Sequence, residues 1–447
     1  MSSSQQGLRT LVLGLGETGL AAVEFVSRRA GQVRVADTRA VPPGLGALRD
    51  RYPDVDVRLG DFAPTLLEGI DQVIVSPGLA TDIPLLEAAR QRQIAVLGDI
   101  ELFARSTTLP VVAVTGSNGK STVTTLVAQM LEGAGYRVRA GGNLGPPALS
   151  LLDAGEVDGY VLELSSFQLE NTCSLTSQAA TVLNVSADHL DRHHDLAAYA
   201  AIKARVLENA RVAVINRDDP IVARMAAAHA RRVTFGLNEP HESDFGVRTL
   251  ADRCWLVRGD QPLLAAAELR QKGAHNVANG LAALALAEAF GAPLPRAVAA
   301  LKAFIGLPHR CEWVGEWQGV TWINDSKGTN VGATVAALSG LEGPLILIAG
   351  GEAKGADFAP LAAVAGGKVK VALLLGKDAA QVAAALEPVC AVRLVDSMEE
   401  AVTHARRRAR RGDTVLLSPA CASLDMYENF EARGQDFKAL VQAGSAS

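Results

Sequence analysis

The stretch VVAVTGSNGKSTVTTLVAQML, residues 111–131, constrains the fold more than any other part of the chain. It begins with apolar, mostly β-branched residues, which predict a short buried strand. A turn of small residues follows, and from Lys120 onward apolar residues recur at helical spacing. In such a unit the turn amides and the helix N-terminus bind phosphate, Lys120 reaches the β- and γ-phosphates, and Ser121 offers a hydroxyl to Mg²⁺. The stretch therefore predicts a nucleoside triphosphate site formed by Thr115, Gly116, Ser117, Asn118, Gly119, Lys120, Ser121 and Thr122.

The glycine spacing of this turn is not that of the common phosphate-binding loop. Val114 stands five positions before Gly119, and the first glycine, Gly116, comes only three before it. The alternative is a glycine turn that merely joins a strand to a helix. We favour phosphate binding because a strand precedes the turn and a helix follows it.

Length and composition limit the classes of protein to which the chain can belong. Its 447 residues predict two to four α/β domains, and aliphatic side chains must form most of the core because only 4% of residues are aromatic. The net charge of −5 and the isolated RRRARR run at 406–411, expected on a solvated helix face, predict no nucleic-acid partner. The five cysteines are scattered, which is typical of a reducing compartment. The N-terminus does not resemble a signal peptide, and no apolar run is long enough to span a membrane. Together these features predict a cytoplasmic protein.

The first segment carries a second glycine turn. Residues 14–19, GLGETG, follow an apolar strand, and Asp37 ends the next strand, where a dinucleotide-binding fold places an acid for the ribose. Taken alone, this pattern predicts an NAD-dependent oxidoreductase. A turn that holds another diphosphate ligand fits equally well.

The second segment adds candidate metal ligands. Glu163 ends the apolar strand that begins at Tyr160, where a carboxylate can bind Mg²⁺ or cap the next helix. Three histidines lie within six residues, His189, His193 and His194, but the chain has no matching cluster of ligands elsewhere. This argues against a zinc site. A position near Mg²⁺ remains open for one of the three. Helical spacing alone predicts an exposed lysine at 203. The run KGAHNVANG predicts a loop that carries its histidine and asparagines into an alanine-rich helix.

The third segment, from about residue 307, again alternates strands and helices and brings Asp325, Lys327 and Lys354 to strand ends.

Three functions differ in how many of the three segments they use. An NAD dehydrogenase leaves the triphosphate site without a role, and a nucleotide-dependent switch leaves the first and third segments without one. A ligase uses all three, because one domain holds a nucleotide-linked substrate, one holds ATP and one supplies the second substrate.

The motifs TGSNGKST, LELSSFQLE, LNVSADHLDR, GAHNVAN, GLPHR, INDSKGTN and SPACASLD, in this order, resemble those of the Mur ligases. The likeness covers the whole chain and is strongest to the member of the family that adds D-glutamate. It implies a Rossmann-like N-terminal domain at 1–98, a central P-loop domain with a mostly parallel sheet at 99–306 and a Rossmann-like C-terminal domain at 307–447. The alternatives are another amino-acid ligase of the same family and the oxidoreductase.

The resemblance implies a reaction and its catalytic residues. ATP would phosphorylate the carboxylate of UDP-N-acetylmuramoyl-L-alanine, and the amine of D-glutamate would displace phosphate in cytoplasmic peptidoglycan precursor synthesis. Lys120, Glu163, His189 and Lys203 would be catalytic. Two Mg²⁺ ions would be held by Ser121, Glu163, His189 and Lys203, the lysine as a carbamate. The enzyme is expected to be a monomer without membrane insertion.

The resemblance also assigns ligand-binding residues by matching motifs. ATP would additionally contact Asn276, Asn279, Arg310 and Asp325. The UDP-linked substrate would contact Glu17, Thr18, Thr38, Arg39, Gly78, Asn143 and Gln168. D-glutamate would contact Thr329, Lys354, Ser423, Leu424 and Phe430. The residues Glu17, Gly328 and the run GGEAK at 350–354 depart from the usual family pattern.

Overall fold

The structure is a computed structural model that describes residues 7–153, 155–188, 190–225, 231–271, 273–341 and 343–443. Each of three consecutive parts of this chain contains its own β-sheet, flanked by helices. The expected α/β class with mostly parallel sheets is confirmed.

The first sheet has five parallel strands in the order β3-β2-β1-β4-β5. Because β1 lies between β2 and β4, the loops that follow these strands meet at the sheet edge where ligands bind in open α/β folds. The elements are β1 (Arg9–Leu13), α1 (Glu17–Arg28), β2 (Gln32–Asp37), α2 (Leu45–Arg51), β3 (Asp56–Leu59), a 3₁₀ turn (Pro64–Leu67), β4 (Gln72–Val75), α3 (Pro84–Gln91), β5 (Ala95–Gly98) and α4 (Asp99–Ser106).

The second sheet has nine strands in the order β14-β13-β12-β11-β10-β9-β6-β8-β7, parallel from β7 to β12 and antiparallel from β12 to β14. Its strands are β6 (Val111–Thr115), β7 (Val138–Gly142), β8 (Gly159–Glu163), β9 (Ala179–Val182), β10 (Ala213–Asn216), β11 (Arg232–Phe235), β12 (Phe245–Leu250), β13 (Arg253–Arg258) and β14 (Gln261–Ala265). Its helices are α5 (Lys120–Gly133), α6 (Ala148–Leu151), α7 (Ser166–Glu170), α8 (Leu190–His193), α9 (Leu196–Ala204), α10 (Pro220–Met225), α11 (Ala274–Phe290) and α12 (Leu294–Ala303), with 3₁₀ turns at Arg205–Leu207 and Ala266–Glu268.

The third sheet has six strands in the order β15-β16-β20-β17-β18-β19, all parallel except β15. Its strands are β15 (Glu312–Trp317), β16 (Val320–Asn324), β17 (Leu345–Ala349), β18 (Val369–Leu374), β19 (Ala391–Leu394) and β20 (Thr414–Leu417). Its helices are α13 (Val331–Gly340), α14 (Ala359–Ala365), α15 (Ala379–Leu386), α16 (Met398–Arg408) and α17 (Phe430–Ala443).

Apolar packing joins the first and second sheets. Helix α1 packs on α6, and buried residues of both parts form one continuous cluster. Phe103 of α4 lies edge-on to Tyr160 of β8, with ring centroids 5.1 Å apart. Helix α4 thus packs with the second sheet although it directly follows the first.

Two local expectations are corrected. Helix α11 begins at Ala274, so His275, Asn276 and Asn279 lie in its first turns rather than in a loop. Lys203 is 1% exposed instead of lying on a solvated helix face. In both cases tertiary packing, which periodicity cannot show, decides the outcome. Among the described residues, no helix has the length and apolar character needed to cross a membrane.

Candidate active site

The glycine turn of residues 116–119, hereafter called the phosphate turn, joins β6 to α5, as the sequence predicts. Gly119 has a φ of +83°, and a Cβ built on it would lie 2.6 Å from Oδ1 of Asn279. A glycine at 119 therefore lets the turn approach α11 closely. The Lys120 ammonium folds back over the turn and donates to the carbonyls of Gly116 and Ser117, each at 2.9 Å.

Glu163 lies beside this turn, because β8 is the neighbour of β6 in the sheet. The carboxylate is buried, and Asn143 Nδ2 donates to its Oε1 at 2.6 Å. Its Oε2 is buried too and has no hydrogen-bond partner among the described residues. A buried, unsatisfied carboxylate oxygen next to a phosphate turn is chemically suited to a hard cation.

Lys203 reaches the same turn from α9. Its Nζ donates to the Gly116 carbonyl at 2.9 Å and lies 4.4 Å from the centre of the Tyr199 ring. Burial, together with the nearby Lys120 ammonium, lowers the pKa of Lys203 well below its ordinary value. Burial at the phosphate turn thus favours the neutral form of this amine more than exposure to solvent would.

The third part of the chain contributes side chains to the same place. Arg310 Nη2 donates to Ser121 Oγ at 2.6 Å. Asn330, which caps α13, donates from Nδ2 to Asn118 Oδ1 at 3.4 Å and to Asp188 Oδ2 at 3.2 Å. The turn is therefore enclosed by residues from two of the three sheets.

A cleft of about 370 Å³ opens beside this turn, between α11 and the loop after β16. Of the residues expected to hold ATP, those that line it are Asn118, Gly119, Thr122, Asn276, Asn279, Arg310 and Asp325. The others, Thr115, Gly116, Ser117, Lys120 and Ser121, belong to β6, the turn and the start of α5.

Asp325 has a distinctive environment at the rim of this cleft. It accepts hydrogen bonds from Ser418 Oγ at 2.7 Å and from the Cys311 amide at 3.1 Å. Burial nevertheless raises the pKa of Asp325 to about 6. A carboxylate in this position can accept hydrogen bonds from the hydroxyl groups of a ribose.

The first sheet gathers its expected substrate residues at one edge. Glu17 and Thr18 begin α1, Thr38 and Arg39 follow β2, and Gly78 follows β4. Asp37, however, accepts hydrogen bonds from the Leu15 amide at 2.7 Å and from the Arg39 guanidinium at 2.7 and 2.9 Å. The hydrogen bonds from Arg39 and Leu15 lower the pKa of Asp37 to about 2 despite burial. Its carboxylate shapes the turn itself, which weakens the dinucleotide interpretation.

Gln168 and Asn143 lie at the second sheet rather than the first. Gln168 is buried, with Nε2 donating to Asp99 Oδ2 at 3.0 Å and Oε1 accepting from the Ser165 amide at 3.1 Å. Asn143 is exposed and donates to Glu163. Both side-chain amides are therefore already engaged within the protein.

Four of the expected D-glutamate residues lie on loops that follow β16, β17 and β20, which are neighbours in the third sheet, and the fifth, Phe430, begins α17. Glu352 and Ala422 exchange backbone hydrogen bonds at 3.0 Å, and the Ala420 amide donates to the Gly328 carbonyl at 2.8 Å. These bonds bring the three loops together. Of the expected residues, Ser423 is buried, Thr329 and Phe430 are half-buried, and Lys354 and Leu424 are exposed.

His189 lies outside the described residues. Two other side chains near the site had been assigned no ligand: Lys327, which the sequence places after a strand end, and Tyr199. Lys327 lines the cleft with its Nζ 3.8 Å from the centre of the Phe430 ring, and burial, with Arg310 nearby, lowers the pKa of Lys327 to about 8. Its position two residues after Asp325 was the available signal. Tyr199, which contacts Ser117 and Lys203, had no local signal.

Three family models match the chain. The Mur ligase MurD-like N-terminal domain matches residues 8–98, the Mur ligase middle domain matches 114–287, and the Mur ligase glutamate ligase domain matches 309–421. The matched regions correspond in order to the three sheets.

Curated relatives match over nearly their full length. The UDP-N-acetylmuramoylalanine–D-glutamate ligase of Nitrosococcus oceani is 51% identical, covering 98% of this chain and 97% of the relative. The enzyme of the same name from Methylococcus capsulatus is 49% identical, covering 97% and 95%.

Solved structures share the fold. The UDP-N-acetylmuramate-alanine ligase of Thermotoga maritima superposes with a TM-score of 0.62 at 17% identity, covering 98% of this chain and all of that one. A pseudomurein peptide ligase from Methanothermus fervidus gives 0.60 at 18% identity with the same coverage. With its three family domains and close full-length relatives, the chain belongs to the Mur ligase family.

Proposed function

We propose that this chain is the ligase that joins D-glutamate to UDP-N-acetylmuramoyl-L-alanine, with cleavage of ATP to ADP and phosphate, in peptidoglycan precursor synthesis. The phosphate turn carries the proposal, because Lys120, Lys203 and Glu163 converge on it from separate elements. The choice of D-glutamate rests on the full-length likeness to relatives of that name. We place the enzyme in the cytoplasm, as a monomer.

The proposed division of labour follows the three sheets. Residues 1–98 would bind the UDP-linked substrate, 99–306 would bind ATP, and 307–447 would bind D-glutamate and close over ATP. The packing of Phe103 on Tyr160 supports assigning α4 to the central domain. The linked loops of the third sheet support a common site for a small dianionic amino acid, with Lys354 and Thr329 at one carboxylate and Ser423, Leu424 and Phe430 at the other.

In the proposed reaction the carboxylate of the alanyl group attacks the γ-phosphorus of ATP, and ADP leaves. The amine of D-glutamate then attacks the acyl phosphate carbonyl, and phosphate leaves from a tetrahedral intermediate. Lys120 would exchange its two carbonyl acceptors for phosphate oxygens and stabilise the charge that develops on them. Arg310, which already reaches Ser121, would supply a second cation at this site.

The residues present fit Mg²⁺. Within the described part of the chain, Glu163 Oε2 is buried and has no hydrogen-bond partner, and the Ser121 hydroxyl, which accepts from Arg310, lies at the start of α5. Among the described residues no three His, Cys, Asp or Glu side chains cluster, so Ser121 and a modified Lys203 would have to complete the ligand set, together with His189. Bound there, Mg²⁺ supplies charge neutralisation for the phosphates.

We further propose that Lys203 is carbamylated. The neutral amine favoured by burial is the form whose lone pair attacks the carbon of CO₂; an N–C bond forms, one C–O π pair moves to oxygen, and a proton leaves. The product is an oxygen-bearing anion suited to Mg²⁺.

Phosphate release tests the proposed function. Purified enzyme with ATP and Mg²⁺ should release phosphate only when both UDP-N-acetylmuramoyl-L-alanine and D-glutamate are present. L-glutamate, L-alanine and meso-diaminopimelate serve as comparison amino acids. Preference for one of them would replace D-glutamate in the proposal, and turnover of NAD with a hydroxy acid, without ATP, would refute the ligase assignment.

A further inference from the structure

Arg192 joins the first part of the chain to the second. Its Nη2 donates both to the carbonyl of Leu79, in the loop after β4, at 2.7 Å and to Glu170 Oε2 at the end of α7, at 2.6 Å. The guanidinium carbon lies 5.1 Å from the centre of the Phe167 ring. The Arg192 side chain is 19% exposed and that of Glu170 is 10% exposed, so solvent weakens this charge-assisted contact little.

On the first side, the Leu79 loop packs directly on the glycine turn of residues 14–19. The Leu79 amide donates to the Ser76 carbonyl at 3.0 Å, which closes the loop. A Cβ built on Gly14 would lie 2.8 Å from the Cβ of Ser76 and 3.5 Å from Cδ1 of Leu79. With so little space between them, the loop and the turn have to move together.

On the second side, Glu170 connects to the phosphate turn. Its Oε1 lies 3.4 Å from His193 Nδ1, and the other ring nitrogen of His193 is hydrogen-bonded to Ser166 Oγ at 2.9 Å. The His193 ring lies 5.2 Å from that of Tyr199, whose hydroxyl accepts a hydrogen bond from Ser117 at 3.4 Å. Buried contacts therefore run from the Glu170 carboxylate to the phosphate turn.

We propose that Arg192 is a positioning residue that fixes the first glycine turn relative to the phosphate turn, with Glu170 as its anchor. The inference rests on the proposed function, in which one substrate spans both turns, with its diphosphate at the first and its carboxylate at the second. Neither side chain has to touch that substrate. Arg192 instead keeps the two ends of the binding site at a constant separation, which orients the carboxylate for attack.

Arg192→Met tests the proposal, because methionine retains apolar packing over Phe167 but has no donor for Leu79 or Glu170. The matched control is Arg137→Met. Arg137 also pairs with two carboxylates, Glu156 and Asp158, but it is 59% exposed and all three residues belong to the central part of the chain.

For Arg192→Met we expect the KM for the UDP-linked substrate to rise about tenfold, as the loss of a buried charge-assisted hydrogen bond predicts, and kcat to fall. The affinity for an ATP analogue, measured without the UDP-linked substrate, should stay within about twofold of wild type. Arg137→Met should match wild type in all three quantities. An equal loss of affinity for the ATP analogue would show a general structural defect and would overturn the inference.

Glu170→Gln provides a second route if Arg192→Met does not fold. On its own it should raise the same KM. Where Arg192→Met does fold, the double variant should be no worse than the more severe single variant, because both changes break one contact. Additive losses, or variants that retain wild-type KM and kcat, would overturn the inference while leaving the proposed function intact. Wild-type enzyme that fails to release phosphate with D-glutamate would instead refute the proposed function.

Discussion

Replacing Lys203 tests the chemistry proposed at the phosphate turn. Lys203→Ala removes a side chain that is 1% exposed and leaves a buried space beside the Gly116 carbonyl. The loss of three buried methylene groups costs about 2.4 kcal/mol at about 0.8 kcal/mol each, and removal of a desolvated amine offsets part of this cost. The variant should therefore fold.

The activity of Lys203→Ala should fall by about a thousandfold, the loss expected when one preorganised charged group is removed from such a site. Lys203→Ala removes the lysine side chain beyond Cβ and, with it, the proposed carbamate. Acetate is small enough to enter the space that is left, and it carries the same carboxylate-type oxygens as a carbamate. Added acetate or formate should restore much of the lost rate, in a saturable manner.

Lys203→Met is the matched control, because its side chain fills the space that acetate would occupy. Phosphate release measured over a range of carboxylate concentrations separates the two variants. We expect rescue of the alanine variant alone. If acetate restores neither variant, or restores both equally, the carbamate proposal is wrong.

Three further predictions follow from the same residues. Lys120→Ala should lower kcat by about 10²–10³, measured by phosphate release, because it removes the ammonium that would stabilise charge on the transferred phosphoryl oxygens; wild-type turnover would contradict the assigned role. Glu163→Gln should raise the Mg²⁺ concentration needed for half-maximal activity at least about tenfold, and an unchanged Mg²⁺ dependence would exclude Glu163 as a ligand. Asp37 has a pKa of about 2, below its ordinary 3.8, so it stabilises the fold above about pH 4 and loses this contribution as the pH falls toward 2. The shift corresponds to at most about 2.5 kcal/mol, and because Arg39 is half-exposed we expect about 1 kcal/mol. It is measured as a lower Tm of Asp37→Asn at pH 6, a difference that narrows below about pH 4 and is nearly lost by about pH 2.

Local patterns predicted the strand, the turn and the helix of residues 111–131 well. The apolar run of β6 and the helical spacing of α5 are short-range features, and both elements lie where the sequence indicates. The position of Glu163 also followed from the sequence, because it ends a strand and ligands bind at strand ends in α/β sheets.

Features set by long-range packing could not be predicted in this way. The burial of Lys203 depends on how α9 packs beneath the turn, and only the family resemblance indicated a role for it. The contact between Arg310 and Ser121 joins residues 189 positions apart. Asp37 matches a ribose-binding pattern, yet its carboxylate accepts hydrogen bonds from Leu15 and Arg39. The position in the strand is visible in the sequence, whereas the side-chain rotamer, which decides the partner, is not.

The close approach of Gly119 to Asn279 has a consequence for how the protein is made. The ribosome synthesises the chain from the N-terminus to the C-terminus. Every residue of the phosphate turn therefore emerges long before α11, against which the turn packs. A nascent chain that ends before residue 274 lacks this support, as well as Arg310 and Asn330. Nucleotide binding should therefore arise late in synthesis, after the first sheet has had time to fold. Truncated chains released early would carry the nucleotide-binding motif in their sequence without the capacity to bind ATP.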